Sequence, residues 1–110
     1  MIDLVSAAHS KGLKVILDVV PNHTADYFNG ASSTYSSASY QPAAPFNNPD
    51  WYHHYGDITD WNNEYQVLNY DLGGLDDLNQ DNADARQAIK DAYKNWITLT
   101  GADGIRVDAA

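Results

Sequence analysis

The spacing of apolar and polar positions predicts a helix and a strand at the start of the chain. Residues 1–12 have apolar positions at helical spacing and end at Gly12, a natural helix stop. Residues 13–20, LKVILDVV, form a nearly continuous apolar run rich in β-branched residues. Such a run is typical of a strand covered on both faces, as in a parallel sheet. Asp18 interrupts the run and requires an explanation.

A second helix and strand are predicted at the other end of the chain. Asn82 is suited to cap the helix and Gly101 to end it. The apolar stripe of this helix consists of Ala85, Ala88, Ile89, Ala92, Trp96 and Leu99. Residues 104–108, GIRVD, then alternate as in a strand. The pattern predicts an α/β fold, either a slice of an α/β barrel or of a doubly wound sheet.

The segment between these two halves is too long for an ordinary connection. Residues 21–50 are rich in Ser, Ala, Asn, Pro and Tyr, and residues 51–82 in aromatic residues, Asn and Asp. We expect an irregular inserted domain rather than a linker. The predicted organisation is a helix–strand segment at 1–22, an inserted loop-rich domain at 23–80 and a second helix–strand segment at 81–110.

Charge and composition narrow the classes of partner. The formal net charge is -9 with only six Lys and Arg, which argues against a nucleic-acid or anionic membrane surface. There is no cysteine, and no apolar run approaches the roughly 18 residues of a membrane span. Aspartates among Gly, Asn and aromatic residues suit the binding of sugars or hard cations.

Polar residues at the ends of the two strands are the candidate functional groups, because active sites of parallel barrels lie at the C-terminal ends of the strands. Arg106 precedes Asp108 by two residues and shares its face. It can also bridge to Asp18 on the neighbouring strand. A cation here keeps a carboxylate ionised, as a nucleophile or a metal ligand requires. The alternatives are a structural ion pair for Arg106 and Asp108, and a slightly exposed strand position for Asp18.

Several histidine, amide and carboxylate residues between positions 22 and 77 have more than one interpretation. His23 is either a substrate contact or a loop histidine satisfied by the backbone. Asn22, Asp77 and a backbone carbonyl would form an oxygen site suited to calcium, although such residues also fill turns. His53 and His54 invite a zinc interpretation, but adjacent strand residues face opposite sides and no further zinc motif accompanies them.

Three motifs, in this order and at this spacing, resemble the α-amylase superfamily, glycoside hydrolase family thirteen. They are DVVPNH at 18–23, LDDLN at 75–79 and GIRVDAA at 104–110. They are similar to the family's DxxxNH region after the third barrel strand, the LADLN-type motif of the domain inserted there, and the GxRxDAxKH region after the fourth strand. The resemblance covers the whole chain and implies part of a (β/α)8 TIM barrel, about its third and fourth strands, with the inserted domain between them. Residues 53–72 look most like cyclodextrin glucanotransferases, maltogenic amylases and bacterial α-amylases.

The resemblance implies roles for individual residues. Asp108 matches the family's catalytic nucleophile and Arg106 the arginine that holds it. Asp18 matches the aspartate that pairs with this arginine, and His23 the histidine that contacts the sugar in the attacked subsite. The implied activity is that of a retaining hydrolase or transglycosylase on α-1,4-glucans such as starch and maltodextrins, with no nucleic-acid or membrane partner. The residues do not decide between hydrolysis and transglycosylation.

The resemblance also implies a structural calcium ion, with Asn22 and Asp77 as ligands and a carbonyl near Leu68 as a further one. In the family, the last motif continues with Lys and His, and the general acid/base Glu and a second Asp lie on later strands. We therefore expect the chain to be a fragment, inactive and of little stability on its own. By the same resemblance, the whole enzyme is expected to be secreted or extracellular.

Two further interpretations stay open. The aromatic residues Trp51, Tyr52, Trp61 and Tyr65 line a glucan path or simply pack the inserted domain. The alternative to an enzyme is a non-catalytic, calcium-stabilised carbohydrate-binding or interaction domain that retains amylase motifs. The sequence of the protein beyond these residues, read for the missing Glu and Asp, would separate the two.

Overall fold

The computed structural model describes residues 1–109, which belong to two compact units. The first unit is formed by Met1–Pro21 together with the residues from Gln87 onward, and the second by Asn22–Arg86. In chain order the elements are α1 (Ile2–Ser10), β1 (Ile16–Val19), a 3₁₀ turn (Pro49–Trp51), α2 (Glu64–Asn69), α3 (Ala83–Thr100) and β2 (Gly104–Val107). Among the described residues, no helix has the length and apolar character needed to cross a membrane.

In the first unit, β1 and β2 pair in parallel, as the βα repeat predicts. Ile16 lies opposite Gly104 and Asp18 lies opposite Arg106. The backbone N–H of Asp108 donates to the carbonyl of Val19 at 2.8 Å, so the pairing extends one residue past β2. Both strands therefore end at the same edge, where the candidate carboxylates stand.

β1 is shorter and more exposed than the apolar run predicts. The run covers residues 13–20, whereas the strand covers Ile16–Val19, and Ile16 is 64% exposed. The expectation of a strand covered on both faces is wrong for residues 1–109. In their unit only α1 and most of α3 accompany the two strands, which is too little chain to cover both faces of a sheet.

The two helices flanking the strands start and stop where their local sequence dictates. α1 ends at Ser10, with Lys11 as its cap and Gly12 at a positive φ of 74° that favours glycine. At α3 the side chain of Asn82 accepts hydrogen bonds from the N–H groups of Asp84 (3.0 Å) and Ala85 (3.2 Å), which confirms the predicted cap.

The short helix α2 is not predicted by the sequence analysis. Asn63 caps it by accepting a hydrogen bond from the N–H of Gln66 at 3.3 Å, and Glu64 occupies its first turn. None of its residues is buried, and six residues are too few to show a helical period in the sequence. The Asn-Glu pair at 63–64 is the signal that would have indicated it.

The second unit is held by an aromatic core rather than by regular sheets. Phe28 is buried, and its ring centroid lies 4.7 Å from that of Tyr35, 4.9 Å from that of Tyr52 and 4.8 Å from that of His54. Of the four aromatic residues with two possible roles, Trp51 and Tyr52 are buried and pack this unit, whereas Trp61 and Tyr65 are exposed. Packing therefore accounts for two of the four.

Replacing the cap residue Asn82 by Ala should lower the free energy of unfolding by about 1 kcal/mol, because two N–H groups of α3 lose their acceptor. Asn95→Ala is the matched control, since Asn95 is exposed inside the same helix and Ala is the better helix former. Chemical unfolding followed by circular dichroism measures both. Equal midpoints for the two variants would contradict the capping role.

Candidate active site and metal centre

At the C-terminal edge of the parallel pair, Arg106 joins two carboxylates. Its Nη1 donates to Asp18 Oδ2 at 2.7 Å and its Nη2 donates to Asp108 Oδ1 at 3.0 Å. Asp18 is the register partner of Arg106, and Asp108 follows it by two residues, so all three side chains lie on one face. The bridge that the sequence predicts is present. We call these three residues the arginine cluster.

The arginine cluster is accessible to solvent. Its side chains are 59% (Arg106), 61% (Asp18) and 53% (Asp108) exposed. Asp18 is therefore both an exposed strand residue and a partner of Arg106, so both interpretations of this position hold. Because its carboxylate is exposed, it does not incur the free-energy cost of burying a charge that its apolar neighbours in sequence suggested. The hydrogen bond to Asp18, and then the charges of Asp18 and Asp108, raise the pKa of Arg106 above its usual value. The guanidinium is therefore a permanent cation beside both carboxylates.

A second cluster lies within the other unit, around Asp77. This carboxylate is 2% exposed, and its Oδ2 lies 2.6 Å from His53 Nδ1. The backbones of the two residues also pair, with His53 N–H donating to the Asp77 carbonyl at 2.9 Å. Burial raises the pKa of Asp77, and the hydrogen bond and charge of His53 oppose that rise.

Asn22 and His23 lie beside this second cluster. The Asn22 carbonyl accepts from the N–H of Leu78 at 2.9 Å, and His23 forms an isolated backbone bridge with Asp77. The amide nitrogen of Asn22 lies 3.3 Å from Nδ1 of His23, so this half-buried ring has a side-chain partner. The structure thus brings together Asn22, His23 and Asp77 in one unit, and Asp18, Arg106 and Asp108 in the other.

The residues around Asp77 include oxygen groups of the kind that calcium binds. A cavity of about 210 Å³ is lined by Asn22, His53, Leu68 and Leu78 among others. The buried carboxylate of Asp77 is hydrogen-bonded to His53, which lines this cavity, and Asp77 precedes the lining residue Leu78 in sequence. An amide, a carboxylate and a main-chain carbonyl are hard oxygen ligands, as calcium prefers. Within residues 1–109 no three His or acidic side chains converge as in a metal site made of side chains alone, so amide and carbonyl oxygens would have to complete the ligand set.

The two adjacent histidines have different partners. His53 binds the Asp77 carboxylate, whereas Nε2 of His54 lies 2.8 Å from the carbonyl oxygen of Pro49. The ring of His54 also meets Phe28 edge-on in the aromatic core. Each ring therefore has a place in the packing and hydrogen bonding of this unit.

Two buried carboxylates were missed by the sequence analysis. Asp76 Oδ2 accepts from the N–H groups of Tyr27 (2.6 Å) and Phe28 (3.2 Å), and Asp71 Oδ1 accepts from the N–H of Asp77 (3.0 Å). Asp76 stands inside the LDDLN motif, next to the residue that the motif singles out. No sequence signal distinguishes Asp71 from the exposed aspartates around it.

The comparisons with known proteins identify the family. A family model described as the alpha-amylase catalytic domain matches residues 1–110. The chain belongs to the alpha-amylase family. The motif resemblance found in the sequence is thereby confirmed.

Individual relatives show how much of an alpha-amylase family protein the chain represents. It is 42% identical over 110 residues to a beta/alpha-amylase from Paenibacillus polymyxa (96% of this chain, 8% of that protein) and 41% identical over 113 residues to a cyclomaltodextrin glucanotransferase from Klebsiella oxytoca (97% and 17%). The crystal structure of an alpha-amylase from Geobacillus thermoleovorans, complexed with acarbose, superposes with a TM-score of 0.74 at 34% identity (98% and 22%). The chain spans less than a quarter of the length of each.

Asp71 generates a prediction about pH. It is 4% exposed, and burial, followed by the charges of Asp76, Asp77 and Asp57, raises its pKa to about 6 against the hydrogen bond from Asp77. The folded state therefore binds this proton more tightly than the unfolded state does. The free energy of unfolding should rise as pH falls from about 6 towards 4, by at most about 3 kcal/mol from this group.

Asp71→Asn tests this, because the amide oxygen still accepts the Asp77 N–H but carries no charge. The variant should be more stable than the parent at pH 7, and the difference should vanish near pH 4. Thermal unfolding in chelator at several pH values measures it, with the exposed Asp91→Asn as control. A constant difference across the pH range would mean that Asp71 does not titrate as stated.

Proposed function

We propose that this chain supplies the nucleophile of a retaining enzyme that hydrolyses or transfers α-1,4-glucans such as starch and maltodextrins. Asp108 is the nucleophile, and Arg106 holds and polarises it. Asp18 fixes Arg106 from the other side, and His23 contacts the sugar. We further propose that the two parallel strands are the third and fourth of a (β/α)8 barrel and that Asn22–Arg86 contains the domain inserted between them.

The observation that carries the proposal is the double contact of Arg106. One guanidinium is shared between Asp18 (2.7 Å) and Asp108 (3.0 Å) at the C-terminal edge of parallel strands. A nucleophilic carboxylate must be ionised and must present one oxygen to the anomeric carbon. Arg106 binds Oδ1 of Asp108, so it favours the ionised form and restricts rotation of the carboxylate, leaving Oδ2 as the attacking atom.

The chemistry follows from this arrangement. The carboxylate of Asp108 attacks the anomeric carbon and forms a covalent glycosyl-enzyme, while a carboxylic acid from the rest of the protein protonates the departing glycosidic oxygen. That group, now a carboxylate, then removes a proton from water or from a sugar hydroxyl while the oxygen of that molecule bonds to the anomeric carbon. The bond between the anomeric carbon and Asp108 breaks, which restores the free carboxylate of Asp108. In retaining enzymes the two carboxyl groups stand about 5–5.5 Å apart. Asp18 is not this acid, because a general acid must carry a proton, whereas the hydrogen bond and positive charge of Arg106 favour the ionised form of Asp18.

Asn22 and Asp77, with a carbonyl near Leu68, are the proposed ligands of a calcium ion with a structural role. When bound, the ion supplies positive charge beside carboxylates that burial makes costly to ionise. The chain segments that contain Asn22 and Asp77 are hydrogen-bonded to each other, through the Leu78 N–H to the Asn22 carbonyl and through the backbone bridge between His23 and Asp77. The backbones of the two proposed ligands are therefore held close to each other without the ion. Binding to the folded state alone adds stability that grows with the logarithm of the ion concentration once this exceeds the Kd.

In the active protein that carries this sequence, Asp108→Asn should lower kcat on soluble starch by roughly four orders of magnitude or more, as when a catalytic unit loses an essential member. Glucan binding and circular dichroism should change little, since the side chain is exposed and keeps its shape. Asp18→Asn is the comparison: it removes the charge of the other partner of Arg106 and should leave measurable turnover. Near-parental turnover in Asp108→Asn would refute the assignment.

Calcium at about 100 times its Kd should raise the free energy of unfolding of the parent by about 2.7 kcal/mol. Thermal unfolding with added calcium and with chelator measures this increment in the parent, in Asp77→Ala and in Asp91→Ala. The increment should vanish only in Asp77→Ala, whose lower stability without calcium is a separate effect of losing the His53 contact. An equal increment in all three proteins would count against Asp77 as a ligand.

A further inference from the structure

Asp77 lies in a segment whose backbone is bonded on both sides. On one side the N–H of His53 donates to the carbonyl of Asp77 at 2.9 Å, and the N–H of Asn79 donates to the carbonyl of Trp51 at 2.8 Å. On the other side His23 forms a backbone bridge with Asp77. These contacts are made by main-chain atoms, so they fix the position of Asp77 without fixing the direction of its carboxylate.

The direction of the carboxylate depends on one side chain. Nδ1 of His53 lies 2.6 Å from Oδ2 of Asp77, and within residues 1–109 no other group hydrogen-bonds to this carboxylate. An ionised carboxylate can only accept hydrogen bonds, so Nδ1 is the donor when Asp77 is charged. Oδ2 is thus occupied, whereas Oδ1 of this residue, which is 2% exposed, is left for a ligand.

The imidazole ring of His53 is itself held in place. Its side chain is 13% exposed, and the ring stacks on that of Tyr55, with centroids 5.5 Å apart and 19° between the planes. The ring of Tyr55 in turn contacts those of Tyr65 and Tyr70, which lie in the first turn and at the C-cap of α2. Packing on both faces of this aromatic chain limits the directions in which Nδ1 can point.

The ring also stands beside the other proposed calcium ligands. His53, Asn22 and Leu68 line one cavity, and Leu68 lies on α2. Calcium takes oxygen ligands, so a histidine nitrogen beside such a site acts through a carboxylate rather than as a ligand. Losing a partner that orients a metal ligand typically costs roughly 10- to 100-fold in metal affinity.

We propose that His53 is a positioning residue for calcium: by binding Oδ2 of Asp77 it makes Oδ1 the metal ligand and holds the carboxylate in that orientation before the ion binds. Orientation in advance raises affinity, because a side chain that is already fixed loses less rotational freedom on binding. The inference rests on the calcium ion proposed above, and it adds which oxygen of Asp77 binds the ion and which residue selects that oxygen.

The position of the donor nitrogen separates orientation from simple packing. In the full-length protein, His53→Asn places an amide nitrogen near the position of Nδ1, whereas His53→Gln places it near that of Nε2, on the far side of the ring. Calorimetric titration of chelator-treated protein with calcium measures the Kd of each variant. His53→Ala and His53→Gln should raise the Kd by roughly 10-fold or more, and His53→Asn should stay within about three-fold of the parent.

His54→Ala is the matched control. This neighbouring histidine also loses a contact with a carbonyl oxygen, that of Pro49, and a ring contact with Phe28, and neither contact involves Asp77. The variant should lower the free energy of unfolding and leave the calcium Kd unchanged. Circular dichroism establishes that each variant is folded. An equal rise of the Kd in His54→Ala and His53→Ala would attribute the effect to packing and overturn the proposal.

The remaining outcomes separate this inference from the calcium site itself. If the parent binds calcium and Asp77→Ala does not, but His53→Ala binds as the parent does, the site stands and the positioning role fails. If His53→Ala does not fold, the Asn and Gln variants decide, and equal Kd values for these two would overturn the role. If the parent binds no calcium, the proposed site fails and the inference with it.

Discussion

Arg106 carries one positive charge between two negative ones, and the geometry of the candidate active site depends on how that charge is shared. The guanidinium can satisfy both Asp18 and Asp108 only if the first lies on the adjacent strand in register and the second lies two residues along its own strand. Parallel pairing provides this geometry, because side chains of register partners project to the same face. The geometry also requires a side chain with two separate donor nitrogens, because Nη1 and Nη2 of Arg106 bind different carboxylates. A lysine has a single nitrogen and would have to contact Asp18 and Asp108 from one point.

In the second unit some carboxylates are buried, whereas those of the arginine cluster are exposed. Three carboxylates, of Asp71, Asp76 and Asp77, are buried there, and burial is the largest influence on each of their pKa values. Backbone N–H groups compensate Asp76 and Asp71, and His53 compensates Asp77. These same bonds replace the ladders of a regular sheet, because they fix loops whose backbone groups would otherwise be unsatisfied. Order in this unit therefore depends on hydrogen bonds to buried carboxylates whose charge is costly, and a bound cation would relieve that cost.

The sequence predicted the parts of the molecule that depend on local rules. The cap at Asn82 and the end of α3 before Gly101 are each set by a few neighbouring residues, and both are observed. The strand predicted at 104–108 is observed as Gly104–Val107. The bridge through Arg106 was predictable because strand periodicity determines which side chains share a face. The length and cover of β1 were not, since they depend on which elements pack against it.

The inserted segment resisted prediction for a different physical reason. Its order rests on contacts between residues far apart in sequence, such as Asp76 with Tyr27 and Asp77 with His53. Asp71, Asp76 and Asp77 have the same side chain as the exposed aspartates around them, and only tertiary structure decides which are buried. Periodicity carries no information on that choice, whereas the motif LDDLN did point to Asp77.

The exposure of the arginine cluster determines how strong the electrostatic attraction is between Arg106 and its two carboxylate partners. With more than half of each side chain accessible, water screens the attraction between Arg106 and its two partners, and ion pairs of this kind contribute little to stability. Under the proposed function, a sugar ring would cover Asp108, and the same geometry would then act differently, because the effective dielectric constant would fall and the attraction between the charges would grow. Covering the cluster also removes water that would compete for the carboxylate. The cluster is therefore better explained by a role at a covered reaction site than by a role in holding the strands together.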